Sequence, residues 1–249
     1  MHADSKLNTP DIEVDVLVVG ASVAILEKQT RLAGNTALSS GSIPGAGTRL
    51  QAAAGVTDSP DLFIDDLMRI SGRHEAEHLT ERLAHLSAEL VEWLIDEAHV
   101  SLSLVSGYRH VGHSVTRLHA PPSRQGADLL ADLEKEAVRR DIPVALGQPV
   151  TELLVGNGRI AGALARDAQG RETRIAARAV ILATNGFGAA RDLIAEHCPE
   201  AANAPYGGAT GSTGDALRWG LMLGAKTANM GAFQGHAGLA QRSGALVTW

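Results

Sequence analysis

Val14-Asp15-Val16-Leu17-Val18-Val19-Gly20-Ala21-Ser22-Val23-Ala24-Ile25-Leu26-Glu27-Lys28 is the stretch from which the rest of the chain is read. Val14 to Val19 is a short apolar run ending at Gly20, the form of a strand buried in a parallel sheet. Val23 to Leu26 is a second such run, closed by Glu27 and Lys28. In dinucleotide-binding sheets, an acidic residue at the tip of the second strand accepts hydrogen bonds from ribose hydroxyls. Only Gly20, Ala21 and Ser22 separate the two runs. A parallel crossover takes about a dozen residues or more. The spacing therefore predicts that the two runs are not adjacent parallel strands joined in the usual way. It also leaves no room for a Gly-rich turn and helix N-terminus that would hold a pyrophosphate.

Further along, Gly34 to Gly47 is rich in Gly, Ser, Asn and Thr and reads as an ordered loop. Helices are predicted over Asp61–Ile70, Glu75–Ala98, Gly126–Arg140 and Asp215–Leu223. In the second of these, Leu79, Leu83, Leu86, Leu90, Val91, Leu94, Ile95 and Ala98 recur in steps that form one stripe. In the third, Leu129, Leu130, Leu133 and Ala137 point inward. Between Gly107 and Pro122 the chain is irregular and carries histidines, His119 among them. Short strands follow at Val144–Leu146, Val150–Val155, Ile160–Arg166, Thr173–Ala176 and Ala179–Ala183. Gly156-Asn157-Gly158 is a hairpin signal.

Composition narrows the function classes. The chain has 249 residues, with 22 Lys plus Arg against 28 Asp plus Glu, a net charge of -6. That balance argues against sequence-independent nucleic-acid binding, which needs a basic footprint. One cysteine, Cys198, excludes an internal disulfide and a four-cysteine zinc site. No apolar run reaches the roughly 18 residues of a membrane span, and no signal-peptide stretch opens the sequence. A cytoplasmic protein with no membrane partner is expected. Many glycines with 3% aromatics fit an α/β protein with tight strand–helix turns. His74-Glu75-Ala76-Glu77-His78 matches HExxH literally. It lacks an evident third ligand and reads as a solvated turn, so no metal is assigned.

Three blocks together suggest a flavin site: the Glu27-Lys28 strand tip, the loop Gly34-Asn35-Thr36-Ala37-Leu38-Ser39-Ser40-Gly41-Ser42, and the strand end Val180-Ile181-Leu182-Ala183-Thr184-Asn185-Gly186. Small residues in the loop let backbone N–H groups approach phosphate or flavin oxygens. With these stand VDVLVVG (14–20), LEKQTRLAGNTALSSG (26–41), SVTRLHAPPSRQGADLL (114–130), PVTELLVGNGRIAGAL (149–164), GATGSTGDALRWGLMLGA (208–225) and FQGHAG (233–238). In that order and spacing the chain resembles the flavoprotein family of fumarate reductases, succinate dehydrogenase flavoprotein subunits and 3-ketosteroid dehydrogenases. The resemblance runs over nearly the whole chain, about the first half of a family member.

The resemblance implies an α/β fold: a mostly parallel FAD-binding sheet with an inserted antiparallel β-meander and a truncated capping domain. It implies an FAD-binding domain over residues 1–232 and the start of the capping or substrate domain at 233–249. FAD contacts are implied at Glu27, Lys28, Asn35, Thr36, Gly41, Ser42, Val150, Gly214 and Asp215. His236 and Thr248 fall where the family places substrate-polarising groups. Trp249 stands where fumarate reductases carry an acidic residue, which argues against a plain dicarboxylate substrate. The implied activity is hydride exchange with a carbon–carbon bond next to a carbonyl or carboxylate of a small molecule, with an unnamed electron donor or acceptor. The family's proton-donating arginine and last flavin-binding segment would lie beyond residue 249. Each charge-assisted bond lost with the pyrophosphate turn is worth about 1.5–3 kcal/mol. A fragment that binds no FAD is the alternative.

Overall fold

A computed structural model describes residues 10–19, 24–233 and 235. They form two compact units: residues 10–34, 137–226 and 235, and residues 35–136 with 227–233.

The first unit is built on a six-stranded sheet. Its strands are β1 (Ile12–Val19), β2 (Ile25–Glu27), β6 (Val144–Leu146), β7 (Val150–Gly156), β8 (Arg159–Arg166) and β9 (Glu172–Leu182), in the order β6-β2-β1-β9-β8-β7. The pairings β6–β2, β2–β1 and β1–β9 are parallel, while β9–β8 and β8–β7 are antiparallel. The meander and the parallel block are thus one sheet, as the sequence predicts. They are joined through β9, whose first half pairs with β8 and whose second half pairs with β1. The sequence suggests two strands here, 173–176 and 179–183. They are continuous, because Ala177-Arg178 contains no turn chemistry and pairing with β1 runs unbroken across it, taking over where pairing with β8 ends at Ala176. Asn157 and Gly158 both take positive φ, 51° and 74°, the type I′ turn that suits a two-residue hairpin. Leu17, Leu26, Leu153, Ala163, Ala165, Ile175, Ala177 and Trp219 make the core. Trp219 comes from α7 (Asp215–Met222), which follows α6 (Arg191–His197) in the chain.

β2 corrects an expectation. It lies parallel and adjacent to β1, with Val18 opposite Ile25 and the Val18 N–H donating to Ala24 O at 3.1 Å. The dozen-residue rule holds for a chain that must return to the far end of its neighbour. Here the first residue of β2 sits beside the penultimate residue of β1, so β2 continues beyond β1 and little return is needed.

The second unit contains α1 (Asn35–Leu38), β3 (Ile43–Pro44), α2 (Arg49–Ala53), α3 (Pro60–Ser71), α4 (Glu77–Asp96), β4 (Ser103–Leu104) and β5 (Leu118–Ala120). The helix α5 (Gly126–Arg139) contributes Leu129 and Leu133 to its core. Strands β3, β5 and β4 form a small antiparallel sheet. Ser59 caps α3 by accepting the Leu62 N–H, with Pro60 at the first helical position. Leu94, Ala98, Val100 and Leu129 form one buried cluster and Ala46, Phe63 and Ala84 another.

α4 departs from its sequence reading. Its buried positions are Ala84, Ser87, Val91 and Leu94, while Leu79, Leu83, Leu86 and Leu90 are exposed. The apolar periodicity is present but spans two adjacent faces, and the face with the smaller residues packs inward. α4 starts at Glu77, so His74 and His78 do not share one helix face. His74 instead accepts the Ala76 N–H and meets Thr80 Oγ1.

Candidate functional site

In an open α/β sheet, ligands bind outside the carboxyl ends of the parallel strands. In the first unit that edge carries Glu27-Lys28 after β2, Gly147-Gln148 after β6 and Thr184-Asn185-Gly186 after β9. The Gly147 N–H donates to Gln29 O at 2.8 Å and the Gln148 N–H to Glu27 O at 3.0 Å, which fastens the ends of β2 and β6 together. Glu27 Oε1 accepts the Gln29 N–H at 2.7 Å, so the half-buried carboxylate is held at the strand tip.

Lys28 turns toward the start of α7. Its Nζ donates to Thr213 Oγ1 and to Asp215 Oδ2, each at 2.7 Å, and Thr213 Oγ1 donates to Asp215 Oδ1 at 2.7 Å. Asp215 lies in the first turn of α7, where a carboxylate is favoured by the helix dipole. Gly214 precedes it with φ 76° and ψ 27°. A Cβ there would stand 2.5 Å from Leu193 Cδ1, so glycine is required on both conformational and steric grounds. The 211–216 loop is docked on the exit of β9. The Gly214 N–H reaches Gly186 O, the Ala216 N–H reaches Thr184 Oγ1, and the Ala189 N–H reaches Ser212 O. Ser212 is buried, and its Oγ has no hydrogen-bond partner. Val150 opens β7 opposite Ala165 and packs half-buried against the core.

The glycine–serine loop lies in the second unit. It contains a single helical turn, α1. The Ser39 N–H and hydroxyl both donate to Thr36 O, Ser39 Oγ accepts the Gly41 N–H at 3.0 Å, and Ser40 and Ser42 hydroxyls meet at 2.9 Å. The Gly126 N–H donates to Ser39 O at 2.7 Å, clipping the loop to the start of α5. A Cβ at Gly126 would fall 1.8 Å from Thr36 O. Asn35 and Ser42 are half-buried, Gly41 is buried and Thr36 is exposed.

A buried charged cluster supports this unit. Arg117, fully buried, donates Nε and Nη2 to the two oxygens of Asp58 at 2.8 and 2.7 Å and Nη1 to Asp66 at 2.8 Å. Its guanidinium also lies 4.5 Å from the centre of the Phe63 ring. Burial pushes the Asp66 carboxyl up, but hydrogen bonds from Arg117, Ser114 and Arg69 outweigh that and hold it well below the usual carboxylate range. His119 lies on β5 rather than in a loop. It is fully buried, with Nε2 2.9 Å from Thr48 Oγ1, and burial pushes its pKa below the ordinary value. Sequence reading missed Asp58, Asp66, Arg117 and Thr213, which become distinctive only once partners distant in sequence are brought together.

Of the predicted site residues, Glu27, Lys28, Val150, Gly214 and Asp215 belong to the first unit, and Asn35, Thr36, Gly41 and Ser42 to the second. His236 and Thr248 lie outside the described residues, as do Gly20–Val23. Among the described residues, no group of three or more His, Cys, Asp or Glu converges on a metal position. A shallow hollow of about 400 Å³ is lined by Glu13, Val14 and Arg178 among others. Glu13 and Val14 lie near the amino end of β1, away from the carboxyl edge.

Residues 18–248 match the family model described as FAD binding domain. The chain belongs to this FAD-binding family. Within it, the chain is 31% identical over 222 residues to fumarate reductase 1 of Saccharomyces cerevisiae, covering 86% of this chain and 47% of the yeast protein. The open conformation of a flavocytochrome c3 fumarate reductase matches with a TM-score of 0.79 and 27% identity over 86% of this chain and 41% of that one. The 3-ketosteroid-Δ4-(5α)-dehydrogenase of Rhodococcus jostii, 22% identical, shares the fold with a TM-score of 0.77, covering 90% of this chain and 56% of that one. The chain thus spans less than half the length of the yeast relative.

FAD is the cofactor of this family, and the carboxyl edge fits its adenosine half. A held carboxylate at the tip of β2 suits ribose hydroxyls, and the buried unpaired Ser212 hydroxyl adds hydrogen-bonding capacity beside the Thr213–Asp215 cluster. Among the described residues, no helix is long and apolar enough to cross a membrane.

Proposed function

We propose that the chain serves an FAD-dependent oxidoreductase reaction of the fumarate reductase type: hydride exchange with a carbon–carbon bond next to a carbonyl or carboxylate of a small molecule. The observation that carries this reading is the carboxyl edge of the parallel strands, where Glu27 and the Lys28–Thr213–Asp215 cluster converge. FAD, when bound, supplies the redox chemistry. Glu27 accepts from the ribose, Lys28 and Asp215 fix the adjoining loop, and the Asn35–Ser42 loop offers backbone donors to phosphate or flavin oxygens. Residues 1–232 serve cofactor binding, and His236 and Thr248, from a capping region beginning near 233, polarise the substrate oxygen. The mild acidity and lone cysteine favour a cytoplasmic setting.

A second reading concerns strength of binding. Five residues, 20–24, link β1 to β2, too few for the crossover helix whose N-terminus would meet a pyrophosphate. The chain therefore holds FAD weakly. Competition separates these points: ADP should displace FAD whereas riboflavin should not, because the proposed anchor is the adenosine end. Displacement by riboflavin and not by ADP would overturn the Glu27 assignment.

A further inference from the structure

Asn-Gly occurs twice in the chain, at 157–158 and at 185–186. This dipeptide closes readily to a succinimide: the glycine nitrogen attacks the asparagine Cγ, and a residue without Cβ leaves the approach open. The fold treats the two differently. Asn157 and Gly158 are the central residues of the β7–β8 hairpin, at φ 51° and 74°, with Gly156 and Arg159 paired beside them. A primed turn fixes the backbone at both residues. The Gly158 nitrogen therefore reaches the Asn157 side chain only if the hairpin end opens. Asn185 is the third residue beyond β9, and it and Gly186 are exposed. Its Oδ1 accepts the Gly186 N–H at 2.8 Å. Cγ is one bond from that oxygen, so the five atoms of the ring to be formed are already folded together. The flanking groups are tied down: Thr184 Oγ1 accepts the Ala216 N–H and Gly186 O accepts the Gly214 N–H at 3.1 Å. The Asn185 side chain and the Gly186 nitrogen stay at the surface, where hydroxide reaches them.

We propose that Asn185 is a site of spontaneous deamidation, and that its conversion undocks the 211–216 loop from the end of β9. The Gly186 N–H gives its proton to hydroxide, its nitrogen forms a bond to Asn185 Cγ, and the Cγ–Nδ2 bond breaks with Nδ2 leaving as ammonia. Water then opens the succinimide at either carbonyl. Opening at Cγ leaves aspartate with the main chain as before. Opening at the backbone carbonyl leaves isoaspartate, whose main chain is one carbon longer between 185 and 186. The net change is one amide and one water to one carboxylate and one ammonium, with no redox partner. The added carbon shifts Gly186 O off the Gly214 N–H. Either product adds a negative charge to an edge that already carries Glu27 and Asp215.

Peptide mapping by mass spectrometry of the 249-residue chain, held at mildly alkaline pH for increasing times, tests this. In urea the two dipeptides should convert at similar rates, since sequence alone then acts. In the folded chain Asn157 should slow about tenfold or more, the factor for a hairpin-opening cost of about 1.4 kcal/mol. Asn185 should keep its rate in urea or exceed it. Gly186→Ala should slow conversion at 185 several-fold and leave 157 unchanged. A Cβ at Gly186 meets no atom within 4 Å and its φ is not positive, so that variant keeps the fold. Aged wild type, rich in isoaspartate at 185, should exchange its amide hydrogens faster over residues 211–216 than fresh protein, and aged Gly186→Ala should not. Folded-state conversion at Asn157 as fast as at Asn185, or a rate at 185 indifferent to Gly186→Ala, would overturn the site. Conversion at 185 with unchanged exchange over 211–216 would overturn the undocking.

Discussion

Replacing Arg117 with Met probes how the second unit is held together. Arg117 and Asp58 are fully buried and Asp66 is 3% exposed. The guanidinium donates three hydrogen bonds to the two carboxylates. Asp58 also accepts from Gln51 Nε2, whose side chain completes the capping box of α2. Asp66 also accepts the Ser114 N–H and hydroxyl. Methionine keeps much of the volume but leaves the buried Asp58 without a counter-charge and Asp66 with only the partly exposed Arg69. Breaking a buried pair by removing one partner costs about 3–5 kcal/mol, against about 5–15 kcal/mol for a whole domain. Urea unfolding at neutral pH should therefore show a midpoint shift equivalent to about 3 kcal/mol or more with an unchanged slope. Arg117→Met combined with Asp58→Asn and Asp66→Asn should recover part of the loss, because the uncompensated charge is removed. A single-variant loss below about 1 kcal/mol would refute the assignment of this cluster as a buried charge network.

Acid should destabilise the fold in two stages. His113 and His119 have folded pKa values lowered by burial, with Arg117 also lowering His113. The unfolded chain therefore binds protons first, and stability should fall as pH drops through about 6.5, the unfolded value. A second decline should begin below about pH 4, where Asp66 protonates in the unfolded chain but not yet in the folded one. Urea midpoints at pH 7.5, 5.5 and 3.5 check both, and equal midpoints at the first two would contradict the histidine part. Gly126→Ala should cost about 1–3 kcal/mol, since its Cβ collides with Thr36 O. Thermal melting gives the magnitude, and a neutral result would show that the Thr36–Ser39 turn is not clipped to α5. Gly214→Ala should be destabilising for a similar reason, and hydrogen exchange should locate the loosening in residues 211–216.

Elements with local signals were legible in the sequence. The Asn157-Gly158 turn, the Ser59-Pro60 start of α3 and the apolar run of β1 each state their conformation within a few residues. β6 was equally plain, bounded by Pro143 and Gly147. Elements defined by partners were not legible. β3, β4 and β5 are two or three residues long and exist because they pair with one another. The adjacency of β1 and β2 depends on a stagger that no sequence pattern encodes. In α4 the period was right and the face was not, because Ala84 and Ser87 fit the close approach and the leucines beside them do not. At the site, the Glu27 tip and the Gly214-Asp215 helix start were recognisable. Thr213 and Gln29 become informative only when the ends of β2, β6 and β9 are brought to one edge.

We infer that the carboxyl edge of the parallel strands holds the adenosine half of FAD through Glu27, weakly because the β1–β2 link is short. The dissociation constant of FAD from the wild-type chain and from Glu27→Gln, measured side by side by fluorescence quenching, decides the point. Saturable binding weaker than about 1 μM is expected, weakened about a further tenfold or more by the substitution, as for loss of a charge-assisted hydrogen bond. Submicromolar FAD retained through purification, or an affinity indifferent to Glu27→Gln, would contradict it.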